Sequence, residues 1–239
     1  MKFSKAARRV VDRMVQPTER DKQIKVGPSA LGDMCQRCLA ENLVGMQPSE
    51  GSQALAPWIG TAVHSYLESL FAADDIVLTE TKVKVGQVDG YGVVNGSMDH
   101  YNLTENHTID YKVVSKKKIK QYQHATVTDR GRVVFDNKAL GVSTLKKYWV
   151  QLSLYSKGME DLGYPVQNMS LLLIPRDVTI EKIPEAVTEV MFPYDREVAE
   201  RALLRASEIY KWATTDGNDL TELPSDPGCW YCNTQRWRN

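Results

Sequence analysis

Four cysteines form two Cys-x-x-Cys pairs at opposite ends of this 239-residue chain, and they restrict its topology more than any other feature. Cys35 and Cys38 lie in the first fifth of the chain, whereas Cys229 and Cys232 lie close to its last residue. Without a secretory pattern, such pairs favour a shared metal site over disulfides. A Cys₄ site would hold the C-terminal segment against the N-terminal helices and close one loop around the rest of the chain. Four thiolates suit structural Zn²⁺ and a 4Fe–4S cluster alike, and the paired spacing by itself favours zinc.

The composition is that of a globular chain. Hydrophobic residues make up 42% and charged residues 25%, and the length allows one domain with a sizeable core. No apolar run approaches the 18 residues that a membrane span requires, so no membrane partner is expected. The first residues are basic but have no apolar stretch or cleavage site. We therefore expect a cytoplasmic protein, or one of the host cytoplasm if a phage encodes it.

The periodicity of the apolar residues changes several times and predicts a mixed α/β fold with one central sheet flanked by helices. Phe3 to Val15 is a predicted helix. A second helix is predicted from an N-cap at Ser29 to Val44, where Gly45 ends it. The remaining predicted helices are 57–73, 144–162 and 194–214, and the predicted strands are 76–85, 90–103, 107–115, 169–175 and 186–192. No glycine-rich nucleotide-binding motif occurs.

The net charge of zero is a cancellation between segments. Residues 111–150 carry ten basic side chains against Asp129 and Asp136, which is a local charge of +8. Charge alone is compatible with a solvated face, but it is also typical of a surface that follows a phosphate backbone.

Asp110 and Lys112 lie two residues apart on a predicted strand, so their side chains project from the same face. A hairpin centred near residues 104–105 brings Asp99 of the preceding strand opposite Asp110. Two neighbouring carboxylates repel each other, and a divalent cation with oxygen ligands, Mg²⁺ or Mn²⁺, keeps both ionised. The alternative is a surface hairpin with a cross-strand salt bridge.

Two helices carry further polar pairs at a spacing of four residues. His64 and Glu68 share one face of the third predicted helix, and Gln151 and Tyr155 share one face of the helix over 144–162. Each pair alone has an ordinary explanation, since a single histidine is more often a core or surface residue and a glutamine can mark the polar edge of a helix. Their order along the chain is more specific than any one of them.

The ordered set resembles the PD-(D/E)xK nuclease superfamily, in particular its RecB-type exonuclease branch, which includes the iron–sulfur exonucleases of CRISPR adaptation and related phage exonucleases. The family-name proline is replaced, because Met98 precedes Asp99. The residues that carry the resemblance are Gly60, His64, Glu68, Gly96, Asp99, Asp110, Lys112, Gln151 and Tyr155. The resemblance implies a restriction-endonuclease-like core over residues 57–214 in a single domain, with 1–56 and 215–239 as a metal-tethered helical and tail portion.

The resemblance also implies roles. Asp99, Asp110, His64 and the backbone carbonyl of Tyr111 would bind Mg²⁺ or Mn²⁺. Lys112 would activate water and stabilise charge on the scissile phosphate. Gln151 and Tyr155 would position the DNA strand or the lysine. The four cysteines would hold a structural 4Fe–4S cluster, although this chain has two cysteines at each end where the common arrangement is one and three.

The implied function is a metal-dependent DNA exonuclease that acts on single strands or duplex ends in recombination, repair or phage DNA processing. Aromatic rings at Tyr122, His124 and Tyr148 could stack on bases. Two alternatives stay open: a non-catalytic DNA-binding module with structural zinc, and a nuclease subunit that is active only within a recombination or spacer-acquisition complex. The predicted phosphate-binding residues are Lys116, Lys117, Lys118, Lys120, Lys146 and Lys147.

Overall fold

The structure is a computed structural model that describes residues 4–5, 7–9, 25–46, 55–122, 125–127, 133–135 and 142–233. The strands are β1 (Val77–Val88), β2 (Gly92–Asn102), β3 (His107–Val114), β4 (Ala125–Val127), β5 (Val133–Phe135), β6 (Asn168–Pro175) and β7 (Thr188–Phe192). The α-helices are α1 (Pro28–Leu31), α2 (Gln36–Leu43), α3 (Leu55–Phe71), α4 (Lys116–Tyr122), α5 (Val142–Asp161), α6 (Ile183–Ala186), α7 (Arg196–Ala213) and α8 (Trp230–Asn233). Short 3₁₀ turns lie at Ile180–Lys182 and Leu220–Glu222.

Five strands form one mixed sheet in the order β1–β2–β3–β6–β7. The strands β1, β2 and β3 form an antiparallel meander, β6 runs parallel to β3, and β7 returns antiparallel to β6. A parallel neighbour needs a long crossover connection. Here α4, a separate β4–β5 hairpin and α5 supply it. The predicted mixed α/β architecture with a central sheet and flanking helices is confirmed.

Helices cover both faces of the meander. The helix α5 packs across β1, β2, β3 and β6, and α7 packs on α5 and β1. The helix α3 lies on the other face, where the ring of Phe71 meets His100 edge-on at 5.1 Å between centroids. Side chains that alternate along β3 therefore reach two different helices.

The helix predicted over residues 29–44 is wrong in two respects, since the chain forms two helices with a break between them and the N-cap is a different residue. Gly27, not Ser29, is the N-cap of α1. At Gly32 the backbone passes so close to α5 that a Cβ atom would lie 2.4 Å from the carbonyl oxygen of Lys147. The Asp33 carboxylate then accepts a hydrogen bond from the Cys35 N–H at 3.0 Å, and α2 begins. Gly45, with φ +78°, follows the end of α2 as predicted.

The alternation along β1 and β2 changes phase in the middle of both strands. Leu78 packs against the same core as Val83, five residues later, and on β2 both Met98 and Tyr101 are buried in that core. Strict alternation cannot place both members of either pair on one face. The backbone of Glu80, with φ +46°, lies at the change in β1. The regular alternation predicted from residues 76–85 therefore fails at Glu80.

Residues 5 and 7–9 are helical, and the remainder of the helix predicted over Phe3 to Val15 lies outside the described residues. Within the part of the chain that the structure describes, no helix is long and apolar enough to span a bilayer.

Candidate active site

The candidate site lies where β2 and β3 separate. The β2–β3 ladder ends with the pair His100 and Ile109, so continuing its register places Asp99 opposite Asp110. Asp99 does not continue the ladder. Its Oδ2 atom accepts the backbone N–H of Tyr111 at 2.8 Å, and this carboxylate occupies the opening between the two strands. The sequence predicted the juxtaposition of the two aspartates, and the hairpin register agrees with it.

A third carboxylate extends this row onto β1. The pairs Thr79–His100 and Thr81–Met98 flank the position at which Glu80 lies opposite Asp99. The Ser97 hydroxyl donates to Glu80 Oε2 at 2.6 Å, which orients this side chain. Three acidic residues therefore occupy equivalent positions on three neighbouring strands. Like charges at such positions repel, so the row favours a bound cation.

His64 lies on α3 between the carboxylates and the backbone of β3. Its Nδ1 atom is 3.4 Å from Asp99 Oδ1 and 3.8 Å from Glu80 Oε1, and its Nε2 atom is 3.2 Å from the Tyr111 carbonyl oxygen. Burial lowers the pKa of His64, but the two carboxylates outweigh it and raise the pKa to about 9. The hydrogen bond with His64, together with the one from Ser97, in turn lowers the pKa of Glu80.

Asp110 borders the same opening as Asp99 and approaches it from the α5 side of β3. Gln151 donates from Nε2 to Asp110 Oδ1 at 2.9 Å, and the Lys112 ammonium contacts Asp110 Oδ2. Burial, together with repulsion from Asp99, raises the pKa of Asp110, while attraction to Lys112 opposes the rise. The Lys112 ammonium also lies 5.4 Å from the centre of the Tyr148 ring. Gln151 and Lys112 therefore both contact the Asp110 carboxylate, each through a different oxygen.

Tyr155 lies one turn beyond Gln151 and is 8% exposed. Its ring packs on the backbone of β2 at Gly96, where a Cβ atom would approach Tyr155 Cε1 to 2.6 Å. Burial raises the pKa of Tyr155 strongly. Two members of the ordered motif set, Gly96 and Tyr155, thus fit against each other, and the tyrosine has little surface for a DNA strand.

The donor set suits a hard divalent cation. Single ligand atoms of His64, Glu80 and Asp99 all lie within 4.8 Å of one another, and the Tyr111 carbonyl oxygen lies beside the same imidazole. Carboxylate, carbonyl and imidazole groups are the ligands that Mg²⁺ and Mn²⁺ accept in proteins. With Asp110 at the next position of the row, these residues could hold Mg²⁺ or Mn²⁺.

Glu80 was not predicted as a site residue, whereas the predicted motif set contained Glu68. Glu68 is exposed on α3 and does not belong to the group around His64. Glu80 lies within an alternating strand pattern, in which a polar residue is expected on the solvent face. A signal was nonetheless present, because the turn after Val88 pairs β1 with β2 and brings Glu80 near the Asp99 position.

The predicted phosphate-binding lysines fall into two groups. The side chains of Lys116, Lys117, Lys120 and Lys146 are exposed. The first three lie on α4, which directly follows the strand that carries Asp110 and Lys112. They are therefore available to a charged ligand near the site.

The other two lysines are already engaged. The Lys147 ammonium is 2.9 Å from Asp33 Oδ2. The Lys118 ammonium lies 6.0 Å from the centre of the Tyr122 ring. Burial, together with repulsion from Arg176 and Lys147, lowers the pKa of Lys118. Arg176, which the sequence analysis did not consider, therefore belongs to the same basic cluster.

Of the three rings suggested for base stacking, one is unsuitable. Tyr122 is 2% exposed and packs in the core beneath α4, so the suggestion is wrong for this residue. Tyr148 is half-buried beside Lys112. His124 lies outside the described residues.

The four cysteines converge as predicted from their pairing. Cys35 is the N-cap of α2 and Cys38 lies in its first turn, and both are 1% exposed. The Sγ atom of Cys38 lies 3.2 Å from that of Cys229 and 3.5 Å from that of Cys232, which is 3.5 Å from Cys35. Neighbouring thiolates repel one another, and a bound cation would let these thiols ionise together. The group could therefore bind a metal.

The chain was compared with known proteins. No protein-family model matches it, and no curated protein matches it. A putative exonuclease from Eubacterium rectale superimposes with a TM-score of 0.51 at 12% identity, covering 99% of this chain and 94% of the other. An alkaline exonuclease from Laribacter hongkongensis superimposes with a TM-score of 0.50 at 13% identity, covering 82% of this chain and 92% of the other. At such identities the likeness establishes a shared fold over most of both chains.

Proposed function

We propose that this chain is a divalent-metal-dependent DNA exonuclease of the RecB-type branch of the PD-(D/E)xK superfamily. One observation carries the proposal: Glu80, Asp99 and Asp110 form a row across three strands, and Lys112 is held on Asp110 at its end. A carboxylate row with an adjacent ammonium is suited to phosphodiester hydrolysis. The fold shared with two solved exonucleases supports the same activity.

The residues of the site divide into those proposed to hold a cation and those proposed to contact the phosphate. His64, Glu80, Asp99, Asp110 and the Tyr111 carbonyl are proposed to hold Mg²⁺ or Mn²⁺. When bound, such a cation lowers the pKa of a coordinated water and neutralises charge on the phosphate.

On the α5 side of the site, Gln151 fixes the Asp110 carboxylate through a 2.9 Å hydrogen bond. That carboxylate fixes the Lys112 ammonium, whose positive charge stabilises the charge that develops on the scissile phosphate. Tyr155 supports this arrangement by packing against Gly96. The proposed substrate is DNA, as single strands or duplex ends, and the exposed lysines of α4 are proposed to contact its backbone.

Residues 57–214 are proposed to form the nuclease core of one domain, around which residues 1–56 and 215–239 are joined by the metal at the cysteines. The proposed location is the cytoplasm, or that of the host for a phage-encoded protein. Recombination, repair and phage DNA processing are the contexts that suit such an activity.

The test is cleavage of end-labelled linear DNA, single-stranded and duplex, with Mg²⁺ or Mn²⁺. We expect label release from linear DNA and no cutting of closed circular DNA. Asp110→Asn and Lys112→Met should lower the rate on the order of 100-fold or more, while circular dichroism shows an intact fold. The exposed Glu68→Gln is the matched control and should cleave like the wild type.

Three outcomes would contradict the proposal in different ways. Unchanged cleavage by both variants would place the chemistry elsewhere. Salt-sensitive DNA binding without cleavage in either metal would identify a non-catalytic binding module. Cleavage that requires a co-purifying protein would identify a subunit that is active only in a complex.

A further inference from the structure

We infer that the four cysteines bind one tetrahedral zinc ion and not the 4Fe–4S cluster that the resemblance implies. The inference concerns the cysteine site alone and does not depend on the proposed nuclease activity. It rests on the distances between the sulfur atoms and on how the C-terminal segment is attached around them.

The sulfur atoms are too close together for a cluster. All four Sγ atoms lie within 4.8 Å of one another, and three of the pairs are 3.2, 3.5 and 3.5 Å apart. Zinc–sulfur bonds of about 2.3 Å in a tetrahedron hold the sulfurs about 3.8 Å apart, close to this spacing. A 4Fe–4S cluster attaches each thiolate to a different iron and spreads the sulfurs to roughly 6 Å or more.

The surroundings oppose the expansion that a cluster would need. Cys35 and Cys38 are 1% exposed, and Met46 packs against the cysteine group. The tail that carries the second pair is fastened to α2 independently of any metal. The Arg37 N–H donates to the Pro224 carbonyl at 3.3 Å, and the Arg37 guanidinium donates to the Leu223 carbonyl at 3.1 Å. Moving the tail outward would break these contacts.

The local charge suits a buried metal tetrathiolate. Such a centre carries two negative charges, and buried charge requires compensation. The Arg205 guanidinium donates to the carbonyls of Asp33 and Met34 at 2.8 and 3.2 Å, immediately before Cys35. The inferred role is structural, since the ion would join α2, near the N-terminus, to α8, near the C-terminus.

The deciding experiment is metal analysis of the full-length protein, expressed with both iron and zinc present and purified without oxygen. We expect one zinc per chain, no acid-labile sulfide and no absorption band near 400 nm. Replacement by Co²⁺ should give the intense visible bands of a tetrahedral thiolate site. The Asp110→Asn protein should retain the zinc, which excludes binding at the carboxylate row.

Cys232→Ser should lose at least nine-tenths of the zinc. If that variant does not fold, the wild-type metal content still decides the question. Four iron and four sulfide per chain would overturn the inference. So would a folded protein that takes up neither metal, or one whose zinc is lost in Asp110→Asn and kept in Cys232→Ser.

Discussion

Glu80 lies directly across the β1–β2 ladder from Asp99, at a position where the regular pairing is interrupted. The backbone of Glu80 adopts φ +46°, which side-chain-bearing residues rarely occupy within a strand. Residues in such conformations cluster at functional sites. The irregularity turns both carboxylates toward His64, whose Nδ1 atom lies 3.8 Å from the first and 3.4 Å from the second.

Substitution of Glu80 by Gln should weaken metal binding. The amide keeps the size of the side chain and removes its charge, so we expect Mn²⁺ affinity to fall by about 10-fold or more. Isothermal titration with Mn²⁺, in buffer freed of other metals, measures the change without relying on activity. Glu68→Gln on the exposed face of α3 should bind Mn²⁺ like the wild type. Equal Mn²⁺ affinities for Glu80→Gln and the wild type would show that Glu80 does not contribute to metal binding.

Glu41 should make stability depend on pH. It is 5% exposed on α2, and its Oε2 atom has no hydrogen-bond partner among the described residues. Burial outweighs the attraction of Arg37 and raises the pKa of Glu41 from 4.5 to about 7. Between these values the unfolded state loses its proton first, so the wild type loses stability as pH rises through this window.

Glu41→Gln removes that loss. The variant should match the wild type near pH 4, and its unfolding free energy should exceed that of the wild type by about 3 kcal/mol at pH 8. Urea unfolding of both proteins at each pH measures the difference. The exposed Glu222→Gln serves as the control and should show no such trend. A constant difference across the pH range would contradict the assignment.

The exposed lysines of α4 should govern the salt dependence of DNA binding. Replacing Lys116, Lys117 and Lys120 by Ala in the Asp110→Asn background should lower the slope of log affinity against log salt by up to about two on single-stranded DNA. Fluorescence anisotropy with single-stranded DNA measures it. The single change Lys211→Ala, on the exposed surface of α7, is the control. An unchanged slope for the triple variant would show that DNA does not contact these lysines of α4.

Two glycines of the motif set should respond oppositely to alanine. An added Cβ at Gly96 meets Tyr155 at 2.6 Å and Pro28 at 2.8 Å, so overpacking should cost about 1–3 kcal/mol. A Cβ added at Gly60 would meet nothing within 4 Å. The higher helix propensity of alanine should therefore raise the free energy of unfolding by about 0.5–1 kcal/mol. Thermal unfolding compares the two proteins. Destabilisation of similar size at both positions would refute the packing argument at Gly96.

Much of the site follows from local patterns. Strand alternation places Asp110 and Lys112 on one face, and the length of the β2–β3 hairpin brings Asp99 opposite Asp110. Helical spacing placed Gln151 and Tyr155 on one side of α5. The cysteine pairs predicted their own convergence across the whole chain. The strand, hairpin and helix predictions depend on a repeat of two or 3.6 residues or on a short turn, which neighbouring residues determine. The cysteine prediction depends on the chemistry of paired thiols as metal ligands.

Only the tertiary structure decided the position of Glu80. From the turn pair Val88–Gly92, an uninterrupted ladder would place Glu80 opposite His100. The register shifts by one residue between Lys84 and Gly86, and the shift places Glu80 opposite Asp99. A β-bulge depends on packing around the extra residue, so no local periodicity predicts it.

The same distinction applies to burial and to the metal. Amino-acid sequence alone determined that Tyr122 follows a lysine-rich segment and that four thiols are available. Whether the ring lies in the core, and how far apart the sulfurs lie, depended on how α4, α2 and the C-terminal segment pack. Burial and distance are properties of residues far apart in the chain, and they exist only once the chain has folded.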